Sequence, residues 1–150
     1  MTIQIIGLVS NPRFFTYDDL TKLPNQIPDL SVIAVGRLGI AVPLRSLLDA
    51  CTLEPEAKYL TIQAEDYSAS VLLDSVLPHA LLVYGLGDRE LPRTAGGPVR
   101  FLIPDVMACA TGGVDQCANV KFLSRLVLSA RIGPDTRPAS PSKHATLHTG

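Results

Sequence analysis

At 150 residues the chain has the length of one domain. Its 47% hydrophobic and 18% charged residues exclude a disordered, solvating polymer. Thirteen Lys and Arg against fourteen Asp and Glu leave a formal net charge of −1, so no basic surplus supports a nucleic-acid or membrane partner.

From the start, residues 2–9 are apolar and rich in β-branched side chains, which predicts a strand ended by Asn11-Pro12. Thr16-Tyr17-Asp18-Asp19 has the form of a capping box, and a short helix is expected to run from there to about Leu23, stopped by Pro24. Pro43 suits the first turn of a second helix. Leu44, Leu47, Leu48 and Cys51 then fall at i, i+3, i+4 and i+7, one apolar stripe that makes Cys51 a core residue.

Further along, the period changes to two. Residues 58–64 alternate, with Leu60, Ile62 and Ala64 on one side, and residues 68–73 follow after a polar turn at Glu65-Asp66. The apolar run 80–84 leads into Gly85-Leu86-Gly87-Asp88, a hairpin signal. Residues 100–103 form a strand fenced by Gly96-Gly97-Pro98 and Pro104, and residues 120–129 the last strand. Many short strands with few helices predict an α+β domain on a mixed or antiparallel sheet over residues 1–130. Residues 131–150 carry three prolines and no hydrophobic period, and they are expected to be a flexible tail. His144 and His148 belong to that tail and are expected to be solvated.

The catalytic inventory is thin. His79 has no nucleophile motif beside it and reads as a strand-edge residue. Glu65 and Asp66 are neighbours on extended chain, pointing to opposite faces, and read as a solvated turn. Cys51, Cys109 and Cys117 are odd in number and lack paired C-x-x-C spacing. Free thiols are expected at Cys109 and Cys117, with a substitute metal ligand or a redox disulfide as the alternatives.

Two stretches carry more chemistry. Gly96-Gly97-Pro98-Val99-Arg100 sets a guanidinium at the start of an apolar strand, and the glycines would let a ligand approach backbone amides. Asn119-Val120-Lys121-Phe122 offers a point charge at the expected start of the last strand. Arg100 and Lys121 are expected to share a phosphate-bearing ligand, or else Arg100 pairs with Asp66 or Asp105. The N-terminus lacks a secretory pattern, and no apolar run approaches the roughly 18 residues of a membrane helix. A cytoplasmic protein is the expectation.

The order of these segments resembles the oxidoreductase molybdopterin-binding domain family, the fold of sulfite oxidases and of the catalytic subunit of periplasmic methionine sulfoxide reductase. Ile6-Gly7-Leu8-Val9-Ser10-Asn11-Pro12 and Val42-Pro43-Leu44 with Leu47-Leu48 look like its opening and its G-V-P-L segment. Ala64-Glu65-Asp66-Tyr67 is similar to its D-G-Y segment, Gly96-Gly97-Pro98-Val99-Arg100 to its G-x-P-x-R, and Val120-Lys121-Phe122 to its V-K-W. The resemblance implies a molybdopterin-binding, oxidoreductase-like domain, with Asp66, Gly96, Gly97, Arg100 and Lys121 as contacts to a pterin or a small phosphorylated ligand. It also exposes departures. The family's molybdenum-binding cysteine precedes the G-V-P-L segment, whereas residues 33–42 hold no cysteine. Ala95 stands where the family has a histidine, and Phe122 where it has a tryptophan. A catalytically degenerate domain with doubtful molybdenum is therefore expected; the alternative is a non-catalytic ligand- or protein-binding module on the same scaffold. Whether it is an enzyme, and on what substrate, is open at this level.

Overall fold

A computed structural model describes residues 1–34, 36–65, 67–104 and 119–133. The chain runs β1 (Thr2–Gly7), β2 (Arg13–Thr16), α1 (Tyr17–Thr21), a 3₁₀ turn at Leu30–Val32, β3 (Ile40–Pro43) and α2 (Leu44–Cys51). It continues through β4 (Tyr59–Gln63), β5 (Ser68–Leu72), α3 (Leu73–Val76), β6 (Leu81–Leu86) and β7 (Arg89–Glu90). A second 3₁₀ turn at Arg93–Ala95, then β8 (Arg100–Leu102) and β9 (Arg125–Ser129), complete the described elements. Among the described residues no helix is long and apolar enough to cross a membrane.

The strands form two sheets, and the class is α+β. The larger sheet has the order β2-β1-β9-β4-β5 and is mixed, because β1 and β9 run parallel while its other pairs are antiparallel. In the smaller sheet β6 is central, with β3 on one side and β7 and β8 paired along the other. The expected hairpin turn lies at Gly87-Asp88, where Leu86 faces Arg89.

Pleating distributes the side chains. Ile3 and Ile5, Leu60 and Ile62, and Leu126 and Leu128 project from the larger sheet into the main core. There they meet the stripe Leu44, Leu47, Leu48 and Cys51 of α2, all buried as the spacing predicted. Val42, Leu82, Tyr84 and Phe101 of the smaller sheet face the same core. Their chain neighbours Ala41, Leu81, Val83 and Leu102 face the other way and form a second cluster beneath Leu30. The smaller sheet is therefore apolar on both sides, which is why residues 80–84 read as one continuous run.

The capping box forms as predicted: Asp19 N–H donates to Thr16 Oγ1 at 3.2 Å, and Thr16 N–H donates to Asp19 Oδ2 at 2.9 Å. Gln26 Nε2 then donates to Leu20 O at 2.6 Å and Leu23 O at 3.0 Å, closing the far end of the α1 region, and its Oε1 accepts from Tyr84 Oη. Three features differ from the sequence expectation. β2 and β3 are strands, and α3 is a helical turn, in places where no element was expected. The last strand starts at Arg125 rather than at residue 120, because Phe122 takes a positive φ of 59° that breaks the extended chain. His79 sits on an exposed turn after α3, not on a strand edge, and its N–H donates to Val76 O at 2.9 Å. Of the expected tail, residues 134–150, with His144 and His148, lie outside the described residues.

Candidate functional site

The turn before β8 is tied to the segment leading into β9. Phe122 N–H donates to Gly96 O, and Leu123 N–H donates to Val99 O, each at 2.8 Å. Phe101 and Val120 exchange a pair of backbone bonds at 2.8 and 3.0 Å, and Ile103 N–H donates to Asn119 Oδ1 at 2.8 Å. These bonds hold residues 96–103 and 119–123 side by side.

Both glycines of the turn are demanded by close approach. A Cβ on Gly97 would stand 1.8 Å from Leu91 O, inside the van der Waals radius of a backbone atom. Gly96 has φ +98°, and a Cβ there would meet Lys121 Cγ at 3.0 Å and Arg100 Cδ at 3.2 Å. The bare glycine thus seats the stems of both cations. Its amide was expected to be open to a ligand, but the turn uses it: Gly96 N–H donates to Arg93 O and Gly97 N–H to Pro92 O, both at 3.0 Å. These two residues contribute close packing in place of free donors.

From that shared seat the two charged side chains line different cavities. Lys121 lines a cavity of about 870 Å³ with Arg93, Glu65, Tyr67 and Phe122. The Arg93 guanidinium lies over the Phe122 ring, 4.5 Å from its centre. Arg100 shares the pleat of Leu102, on the outer face of the smaller sheet, and lines a cavity of about 270 Å³ with Arg37, Leu30, Val83 and Leu91. Its Nε is buried and has no hydrogen-bond partner among the described residues. Burial, and next the Arg37 charge, lower its affinity for the proton.

A model of the oxidoreductase molybdopterin binding domain matches residues 40–134. The chain belongs to this family. Family membership accounts for the order of segments from Val42-Pro43-Leu44 to Val120-Lys121-Phe122. Among solved structures the chain is similar to the sulfane dehydrogenase SoxCD from Paracoccus pantotrophus, at a TM-score of 0.67 and 21% identity. That match covers 92% of this chain and 40% of the other, so the two share a fold over a part of the longer protein.

Set in the family's order of segments, Gly96, Gly97, Arg100 and Lys121 are brought together at one turn. Asp66, Asp105, Cys109 and Cys117 lie outside the described residues. Glu65, beside Asp66, is exposed at the mouth of the larger cavity. Cys51 lies in the main core, where burial pushes its thiol pKa up, the opposite of what a metal-binding thiolate needs. Arg37 and Arg93 are cavity residues that sequence reasoning did not single out. An arginine within a run of apolar and glycine residues was the available signal for Arg37, and the spacing of Arg93 from Gly96-Gly97 the signal for the other.

Proposed function

We propose that this domain binds molybdopterin in the larger cavity and has lost the oxidoreductase chemistry of the family. The observation that carries the reading is the pairing of Lys121 and Arg93 on the wall of an 870 Å³ cavity, with neither in an ion pair among the described residues. Such a cavity is within the usual size for a cofactor, and its mixture of apolar wall and fixed cations suits a flat ring carrying a phosphate. Lys121 would supply the point charge for the phosphate. The Arg93–Phe122 stack would line the ring, and Asp66 would reach it from the turn beside Glu65. Gly96 and Gly97 support the contact by letting the Lys121 stem lie against the turn.

The organic part of the cofactor fits these residues; a protein ligand for its metal does not. Residues 33–42 contain no cysteine, and Cys51 is sealed in the core. Bound molybdopterin supplies the sulfur pair that holds molybdenum and its two-electron chemistry. Without a protein thiolate the metal loses a soft ligand that anchors it and tunes its electronics. A cytoplasmic, pterin-binding protein without nucleic-acid or membrane partners is consistent with the near-neutral charge.

The test combines binding and turnover. Molybdopterin should bind the purified protein, and Lys121→Gln should weaken that binding about tenfold, the loss of one charge-assisted contact. Sulfite and methionine sulfoxide, assayed with artificial electron carriers, should turn over far below about 1 s⁻¹. Turnover at or above that rate would overturn the loss of chemistry, and an unaltered Lys121→Gln variant would overturn the placement of the ligand.

A further inference from the structure

The smaller cavity holds a combination that its own residues leave uncompensated. Arg37 and Arg100 are both half-buried and both line it, and neither is in an ion pair among the described residues. Arg37 belongs to the loop that crosses the outer face of the smaller sheet, where its N–H donates to Ala34 O at 3.0 Å. Arg100 rises from the sheet itself, beside Val83 of β6. The rest of the wall is aliphatic: Leu30, Val83, Leu91 and Leu102 are at most 3% exposed. No acidic side chain lines the space.

Two like charges facing a shared apolar space repel one another more strongly than they would in water. The buried Arg100 Nε–H is also a donor left without an acceptor. A water molecule would satisfy that donor but would leave both charges in place. An anion answers both needs together.

We propose that this cavity is a binding site for a small aliphatic carboxylate, its carboxyl group held by Arg37 and Arg100 and its tail lying on Leu30, Val83 and Leu102. The chemistry of the walls selects the class. A guanidinium fork matches a planar carboxylate in two parallel hydrogen bonds. Leucine and valine walls favour an alkyl tail, whereas a bare inorganic dianion would lose its hydration against them for no return. The volume of about 270 Å³ corresponds to roughly nine water molecules, which limits the ligand to a short chain. The site goes beyond the molybdopterin reading and does not depend on it. Arg37 precedes the family match at residues 40–134, and the cavity lies on the opposite side of the Gly96 seat from Lys121.

Hexanoate, hexylamine and inorganic phosphate are titrated into the full chain by calorimetry, with methyl NMR to locate binding. Hexanoate should bind saturably and shift the Val83 and Leu102 methyl signals, while hexylamine should not bind. Phosphate should bind at least tenfold more weakly than hexanoate. Arg37→Gln, a change on a loop, should keep the circular dichroism of the unmodified protein and lose hexanoate affinity at least tenfold. Arg45→Gln removes the same charge from an exposed position on α2 and should leave affinity unaltered. The proposal is overturned by absent hexanoate binding, by methyl shifts confined to other residues, by phosphate binding as tightly, or by an Arg37→Gln variant of undiminished affinity. Prior saturation with molybdopterin should leave hexanoate binding intact; competition would give the cavity to the cofactor and overturn the proposal. Failure of molybdopterin to bind, with hexanoate behaving as stated, would count against the molybdopterin reading alone.

Discussion

The outer faces of the two sheets handle buried polarity in opposite ways. On the larger sheet, Thr61 and Ser70 are neutral hydroxyls on neighbouring strands, 3.4 Å apart, and Gly133 crosses over them to donate its N–H to Ser70 Oγ at 2.9 Å. Every member of that group has a partner. On the smaller sheet the equivalent position is taken by Arg100, whose charge faces a second guanidinium and whose Nε is unmatched. The first arrangement stabilises the fold. The second weakens it, and a face that keeps an uncompensated charge near an open cavity is one shaped for something other than stability.

That contrast can be broken most severely at Gly97. Gly97→Ala forces a Cβ against the Leu91 carbonyl, a backbone atom that cannot swing away, and should cost more than about 4 kcal/mol or prevent folding. Soluble expression and thermal melting would read it. In the main core, which both sheets share, Leu60→Ala should cost about 3 kcal/mol through lost burial and a residual cavity, measured by urea unfolding.

The two faces are compared directly by the next pair. Ser70→Ala leaves the Gly133 N–H without its acceptor and should cost about 1–2 kcal/mol. Arg100→Met keeps the stem volume, removes the unmatched charge, and should stabilise the protein by about 1 kcal/mol, a small figure because the side chain is partly screened by solvent. Urea midpoints that move in the same direction for both variants would erase the distinction between the faces.

A smaller effect belongs to the α1 cap. Thr16→Ala should cost about 1 kcal/mol at neutral pH. Hydrogen bonds from the Thr16 backbone and then its side chain hold the Asp19 carboxyl below the usual 3.8. Its folded value is depressed, so its contribution is complete above 3.8 and fades as pH falls through the lower folded value. The gap between Thr16→Ala and the unmodified protein should therefore narrow in unfolding measurements taken between pH 5 and about pH 2.

Local signals were the ones the sequence displayed plainly. The capping box at Thr16 and the stripe from Leu44 to Cys51 depend on residues within two turns of each other, and both formed. β2 is different: Arg13-Phe14-Phe15-Thr16 is extended because it pairs with β1, a partner no short window contains. β3 was hidden for the same reason, its Ile40-Ala41-Val42-Pro43 owing its shape to β6. At the site, Gly96, Gly97, Arg100 and Lys121 were visible as spaced motifs, and the structure sets them around one turn. The division of Arg100 and Lys121 between two cavities was not visible. It follows from the pleat of β8 and from the positive φ of Phe122, a conformation that a phenylalanine does not announce.

The position of β9 has a consequence for how the chain acquires its shape. Its five residues come last among the described elements, yet they lie in the middle of the larger sheet, parallel to β1 and antiparallel to β4. On a ribosome, β1 and β4 leave the exit tunnel with facing edges unpaired and must wait for residues 125–129. Such long sequence separations slow folding, and open edges invite pairing with other chains during the delay. A chain cut short before Arg125 is accordingly expected to aggregate, even though it would keep all three helices and the whole smaller sheet.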